Sequence, residues 1–169
     1  MPLTPATPED IAEVSRQLGR PARDIVAIAA RCVCGKPTVV QTKPRLADGT
    51  PFPTVYYLTH PAATAALSTL EASGKMVEYQ DRLAADPDFA AVYAAAHAAY
   101  IADRDAVAEA AGLPAVTEVA GISAGGMPTR VKCLHALAGH ALAAGPGVNP
   151  VGDLALEACT WKPTVCACS

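Results

Sequence analysis

Short apolar runs and longer helical periodicities alternate along this chain, and they divide it into elements. Asp24 to Arg31, reading Asp-Ile-Val-Ala-Ile-Ala-Ala-Arg, is brief and rich in β-branched residues, which predicts a buried strand. Thr38 to Thr42 and Val55 to Thr59 predict two more. The connection Cys32-Val-Cys-Gly-Lys-Pro37 is short and punctuated by Gly and Pro, so the first two strands are expected to form a hairpin. Helical spacing governs most of the rest. Thr7-Pro8-Glu9-Asp10 combines an N-cap, a proline at the first helical position and two acids at the positive end of the dipole. Ile11, Val14 and Leu18 form its apolar stripe, and Gly19 ends it. Pro61 opens an alanine-rich helix that stops at Ser73-Gly74. Lys75 to Ala111 continues in helix, broken at Asp86-Pro87, with Phe89, Val92/Tyr93, Ala96 and Tyr100 facing inward. Residues 115–126 read as a glycine-bearing loop. A further helix is expected from Pro128 to about Ala144, and a last one from Asn149-Pro150 to about Cys159.

The sum predicts an α+β fold, a small antiparallel sheet of about three strands covered by about five helices. Residues 7–159 are expected to form its single domain. Residues 1–6 read as a flexible Pro/Thr-rich tail, and residues 160–169, which lack periodicity, as a loose one. With 169 residues the chain can bury a core without staples. An apolar fraction of 51% excludes disorder, although much of it is alanine. A net charge of −3 offers no basic footprint for nucleic acid. Phe89 to Ala102, the most apolar stretch, is too short to span a bilayer and contains His97. The N-terminal residues have neither the basic nor the apolar region of a signal peptide, so a cytoplasmic location without membrane insertion is expected.

In a reducing compartment the six cysteines read as packing residues, metal ligands or nucleophiles rather than disulfides. Within a helix beginning at Pro128, Cys133, Leu137 and His140 share one face, and His135 points about 200° away from Cys133. Cys133 and His140 then lie roughly 10 Å apart along the axis, too far to share one zinc. Cys34 sits in a Gly-containing turn beside Cys32, and His60 ends the third strand. Cys34, His60, Cys133 and one of His135 or His140 therefore make a candidate Cys/His ligand set, for zinc or alternatively an iron–sulfur cluster. The competing reading is that Cys133 packs as a small hydrophobe or acts as a nucleophilic thiol. A second candidate is an anion site for a phosphate-bearing small molecule. There Gly125-Gly126 would feed the helix N-terminus, with Arg130 and Lys132 adding positive charge. Cys159, Cys166 and Cys168 lie in or beside the tail; a terminal Cys-x-Cys can bind metal or be oxidised, but loose tail thiols read as incidental.

Arg31-Cys-Val-Cys-Gly35, Asp48 to Pro61, Leu70-Glu-Ala-Ser-Gly74 and Gly121 to Leu137 resemble signature segments of the domain of unknown function 501 family. Gly145-Pro-Gly-Val-Asn-Pro-Val-Gly-Asp153 does too, and the likeness covers about residues 7–158. Members are small, mainly actinobacterial proteins with no assigned activity. Their genes commonly neighbour a septum-formation initiator and an exopolyphosphatase-type phosphatase. The resemblance implies a housekeeping setting, in cell division or phosphate metabolism, and nothing about mechanism. A competing reading of a different class is a non-catalytic adaptor for a protein partner in a division or envelope complex, with the alanine-rich helices as the contact surface. The resemblance places Cys34, Cys133 and His135 in signature segments and His60 where relatives can carry Cys, an exchange a metal site tolerates. The last ten residues fall outside it.

Overall fold

In the computed structural model, which describes residues 3–169, four antiparallel strands form a meander in the order β1-β2-β3-β4. These are β1 (Thr4–Pro5), β2 (Ile25–Arg31), β3 (Pro37–Thr42) and β4 (Tyr56–Leu58). Six helices accompany them: α1 (Pro8–Leu18), α2 (Pro61–Ala72), α3 (Lys75–Ala85), α4 (Pro87–Ala110), α5 (Leu134–Ala144) and α6 (Pro150–Ala158). A single 3-10 turn, Thr117–Val119, lies between α4 and α5. The α+β class and the hairpin follow the pattern of the sequence. The fourth strand is Thr4–Pro5, two residues within the expected N-terminal tail, paired to Ile28 and Ala27 of β2.

Period-two alternation sends sheet residues to two different cores. Val39 and Leu58 face the larger one with α2 to α6, whereas Ile28, Val40 and Tyr57 face α1 around Val14. Every residue of β3 is buried, as expected of a strand covered on both faces. Helix α5 lies close on the sheet because Gly139 has no side chain; a Cβ there would stand 3.3 Å from the Tyr56 carbonyl. Gly152 likewise rests on the Leu137 carbonyl, so α6 packs backbone to backbone on α5. Phe89, Tyr93, Ala96 and Tyr100 form the inner face of α4, while Val92 is exposed. On α1, Val14 is fully buried and Ile11 turns outward.

Local chemistry sets the helix starts. Thr7 and Asp10 close a reciprocal capping box, and His60, Asp86 and Asn149 each accept a backbone N–H at the first turn of the following helix. Asp10 also receives Arg31 at 2.7 and 2.9 Å. That guanidinium, ahead of its other neighbours, holds the Asp10 carboxyl down at about 2. Arg31 donates as well to the Gly35 carbonyl at 3.0 Å, bracing the β2–β3 turn from outside.

One expected element starts elsewhere. The helix anticipated from Pro128 begins at Leu134, because the segment before it is held by contacts from distant parts of the chain. The Gly125 carbonyl accepts the Lys132 and Cys133 N–H groups, and the Gly126 carbonyl accepts that of Arg130. The Val131 N–H goes to Gln80, and the Tyr93 hydroxyl donates to the Arg130 carbonyl. Backbone groups satisfied in this way have no need of a helix. Cys133 is consequently the extended N-cap of α5 rather than a mid-helix residue.

No helix among the described residues is long and apolar enough to cross a membrane.

Candidate functional site

The β2–β3 turn carries the first pair of sulfurs. Its Cys32 N–H donates to the Lys36 carbonyl and its Cys32 carbonyl accepts the Gly35 N–H, with Gly35 at φ 94°, in the left-handed region that favours glycine. Cys32 is buried, and Cys34 projects outward. The second pair arrives from the C-terminal segment. That segment has neither helix nor strand, yet it is seated: Trp161 is 5% exposed, and its ring centroid lies 5.4 Å from that of His60. A turn closed by Val165 N–H to the Lys162 carbonyl then brings Cys166 and Cys168 to the hairpin. Lys36 Nζ donates to the Ser169 carbonyl at 3.0 Å and holds the end in place.

Four sulfurs meet there. The Sγ atoms of Cys32, Cys34, Cys166 and Cys168 all lie within 4.8 Å of one another, with Cys34 and Cys168 3.5 Å apart. Tetrahedral coordination with metal–sulfur bonds near 2.3 Å puts the sulfurs about 3.8 Å apart, so the group fits one tetrahedral cation. An iron–sulfur cluster would set thiolates bound to different irons farther apart than one tetrahedron's edge.

The electrostatics fit the same need. The Lys36 backbone N–H, the largest influence, brings the Cys34 thiol down to about 7. Desolvation, with the neighbouring thiols adding to it, pushes Cys168 up to about 12. Crowded sulfurs cannot all ionise unless a cation joins them.

His60 stands beside this group. Its Nδ1 accepts the Ala63 N–H at 3.3 Å, so in the neutral ring Nε2 carries the proton. That Nε2 is 3.2 Å from Cys168 Sγ, which makes His60 a hydrogen-bond donor to the sulfur. Burial, which pushes this imidazole below its ordinary value, keeps the ring neutral.

The remaining candidates lie apart. Glu71 of α2 and Cys133 and His135 of α5 form a second group whose ligand atoms lie within 4.8 Å of one another. His135 Nδ1 is 3.2 Å from Glu71 Oε1, and its Nε2 donates to the Thr64 carbonyl at 3.0 Å, with Ser68 Oγ 3.1 Å away. Both ring nitrogens face acceptors, so the ring is an imidazolium and has no lone pair for a metal. Its hydrogen bond with Cys133, foremost, raises it to about 9. Burial pushes the Cys133 thiol up, but the hydrogen bonds from His135 and the Ala136 N–H outweigh it, and the net shift is downward. Glu71 Oε2 accepts the Leu134 N–H at 2.8 Å and caps α5 from outside.

His140 joins neither group. It is fully buried, stacks on Tyr56 at 5.9 Å and meets Tyr100 edge-on at 5.0 Å, and its Nδ1 pairs with Asn149 at 3.1 Å. Burial drives it down to about 4. The five expected ligands thus separate three ways: Cys34 and His60 at the hairpin, Cys133 and His135 at the start of α5, and His140 in the core. The start of α5 at Leu134 places Cys133 beside His135 instead of across a helix from it.

The expected anion site loses its helix. Gly125 and Gly126 sit in a turn eight or more residues before α5, and their carbonyls, not their N–H groups, hold the loop together. Both glycines are required by close approach, since a Cβ on Gly125 would strike Leu137 at 2.6 Å and one on Gly126 the Arg130 carbonyl at 2.6 Å. Arg130 and Lys132 are exposed.

A family model described as a protein of unknown function (DUF501) matches residues 28–157. The chain belongs to the DUF501 family. No curated protein and no solved structure matches it. Within the DUF501 match lie Cys32, Cys34 and His60, as well as the whole Glu71–Cys133–His135 group; Cys166 and Cys168 lie beyond it. Cys32, Cys166, Cys168 and Glu71 are the site residues missed from sequence. Two matching Cys-x-Cys pairs near opposite ends of the chain were the available signal for the first three.

Proposed function

We propose that Cys32, Cys34, Cys166 and Cys168 hold one zinc ion, which clamps the C-terminal segment onto the β2–β3 hairpin. The convergence of four sulfurs within 4.8 Å supports this reading. Zinc is preferred because an all-thiolate tetrahedron suits it and demands no redox chemistry, although mononuclear iron accepts the same ligands. Four protein ligands leave no position for water, so the ion is structural and not hydrolytic. His60, donating Nε2–H to Cys168, acts as an outer-sphere partner that fixes the sulfur's orientation and disperses its charge.

The test is elemental analysis and native mass spectrometry of protein purified without a metal-binding tag. About one equivalent of zinc is expected, lost in Cys34→Ser and in Cys166→Ser/Cys168→Ser. A colourless preparation favours zinc, and a red or brown one iron. Less than about a tenth of an equivalent of any transition metal, with no uptake from added zinc or iron, overturns the reading.

A second reading rests on the 3.5 Å between Cys34 and Cys168 Sγ, close enough for a bridge to form after a small movement. It predicts a metal-free protein about 2 Da lighter for each bridge, restored to full mass by reductant.

A further inference from the structure

Zinc coordination leaves the Glu71–Cys133–His135 group without a role, and its geometry has a direction. The thiol sits at the N-cap of an 11-residue helix, the imidazole follows two residues later, and the carboxylate reaches in from α2. Thiol, imidazole and carboxylate crowd together within 4.8 Å, with Glu71 at the ring's Nδ1 and the Thr64 carbonyl holding the ring at Nε2. A base held by a third group beside a nucleophile is the arrangement that activates cysteine for covalent chemistry. A helix N-terminus and a neighbouring cation both favour the thiolate.

The sulfur is not sealed in packing. Cys133 and His135 line a cavity of about 240 Å³ together with Thr54, Tyr56, Leu58 and Thr64. No Arg or Lys is in that lining, and its one cation, the His135 imidazolium, is already paired with Glu71, which disfavours a phosphate. Its walls are mostly apolar, with hydroxyl groups among them.

We propose that Cys133 is a nucleophile for small, uncharged acyl electrophiles, esters or thioesters, with His135 as its proton donor and acceptor and Glu71 as a positioning residue. Cys133 Sγ attacks the carbonyl carbon, and the bond from that carbon to the leaving oxygen or sulfur breaks. His135 gives its proton to the departing atom and becomes neutral. Water then adds to the acyl carbon, its proton returns to His135, and the Sγ–C bond breaks to release the acid and the thiolate. No oxidant or reductant enters. This inference is independent of the zinc reading, since the two groups share no residue.

The experiment uses the full-length protein as purified and reads each cysteine separately by peptide mass spectrometry. At neutral pH, iodoacetamide should modify Cys133 at least about tenfold faster in the folded protein than in denaturant. p-Nitrophenyl acetate should release p-nitrophenolate with an acetyl group appearing on Cys133. His135→Gln and Glu71→Gln should each slow acetylation by about tenfold or more, with melting temperatures recorded alongside. Because the folded-against-denatured comparison uses wild type alone, it stands even if a variant fails to fold. A Cys133 that reacts no faster when folded, or that gains no acetyl group, overturns the proposal. So does silencing of Cys133 by added micromolar zinc, which would make this group a second metal site. Zinc loss at the hairpin without change in Cys133 reactivity is expected; it separates failure of one reading from failure of the other.

Discussion

At the hairpin, four sulfurs face one another with a single imidazole N–H among them, whereas at the start of α5 one sulfur faces an imidazolium that a carboxylate and a carbonyl already hold. The first group is rich in would-be anions, and the cations beside it, Lys36 and Arg16, are paired with Glu13, so its internal contacts cannot satisfy it once more than one thiol ionises. The second group carries its own counter-charge. Glu71, His135 and Cys133 alternate in sign, and Glu71 also caps a helix. Two clusters that both have metal-ligand spacing therefore ask for different things. One needs an ion to close it; the other is closed electrostatically and open sterically, toward a cavity. Spacing alone does not separate these cases. Counting lone pairs and protons at each nitrogen does.

The sharpest way to break this comparison is to remove the metal. If free zinc stands at about a thousand times its Kd, binding contributes about 4 kcal/mol to folding. Chelation should then lower the melting temperature by about 8–16 °C in a domain of this size. Calorimetry with and without a chelator checks it. The rate of Cys133 alkylation should not follow that shift. A chelator that accelerates alkylation of Cys133 as much as that of Cys34 would show that the clusters are one system.

A second prediction asks how the tail reaches the hairpin. Trp161 is buried against His60, so Trp161→Ala should cost about 3 kcal/mol through lost burial and an incompletely collapsed cavity. Urea unfolding of the zinc-free protein measures it. A cost of only a few tenths would mean that the metal alone holds the segment, and the distinction between a pre-folded and a metal-folded cage would fall the other way.

His140 supplies the third, because acid can unfold this protein by two routes. Thiolates that take up protons release metal, and His140, neutral in the core, must lose out to its protonated unfolded form. Its value is depressed to about 4 by burial, so its contribution to stability is full above the unfolded value near 6.5. The contribution falls as pH drops from about 6.5 to about 4, by about 3 kcal/mol in all. In zinc-free protein the first route is absent, and the remaining acid sensitivity in that window should fall markedly in His140→Leu, leaving the part due to His60, which burial also depresses. A His140→Leu variant that keeps the same slope would assign the loss to other groups.

Much of this fold was legible because its signals are local. Thr7-Pro8, Pro61, Asp86-Pro87 and Asn149-Pro150 mark helix starts through caps and prolines, and all four stand where expected. The segment before α5 misled because its hydrogen bonds run to Gln80 and Tyr93, far off in sequence, and no local pattern reports them. That error of six residues at a helix start moved Cys133 from the opposite side of a helix to the side of His135. The tail misled for a related reason. One buried tryptophan anchors it, and a single side chain makes no periodicity. Its cysteines therefore read as incidental although they repeat the Cys-x-Cys spacing of the hairpin.

The smallest expected effect is the one that best isolates the second cluster. Glu71→Gln keeps the shape of the side chain and an oxygen able to accept the Leu134 N–H, but removes the charge opposite His135. The pair is about a quarter exposed on each side, so water screens it, and the stability lost should be only about 1 kcal/mol. The effect on Cys133 should be out of proportion to that cost. With the carboxylate gone, nothing fixes the imidazole between sulfur and carbonyl, and the thiolate loses the steady hydrogen bond that favours it. Alkylation of Cys133 should slow by about tenfold while the melting temperature moves by only about 2–4 °C. Cys32, Cys34, Cys166 and Cys168 should keep their zinc and their protection. If instead reactivity and stability fall together in a simple ratio, Glu71 is no more than a helix cap, and the two clusters differ only in what fills them.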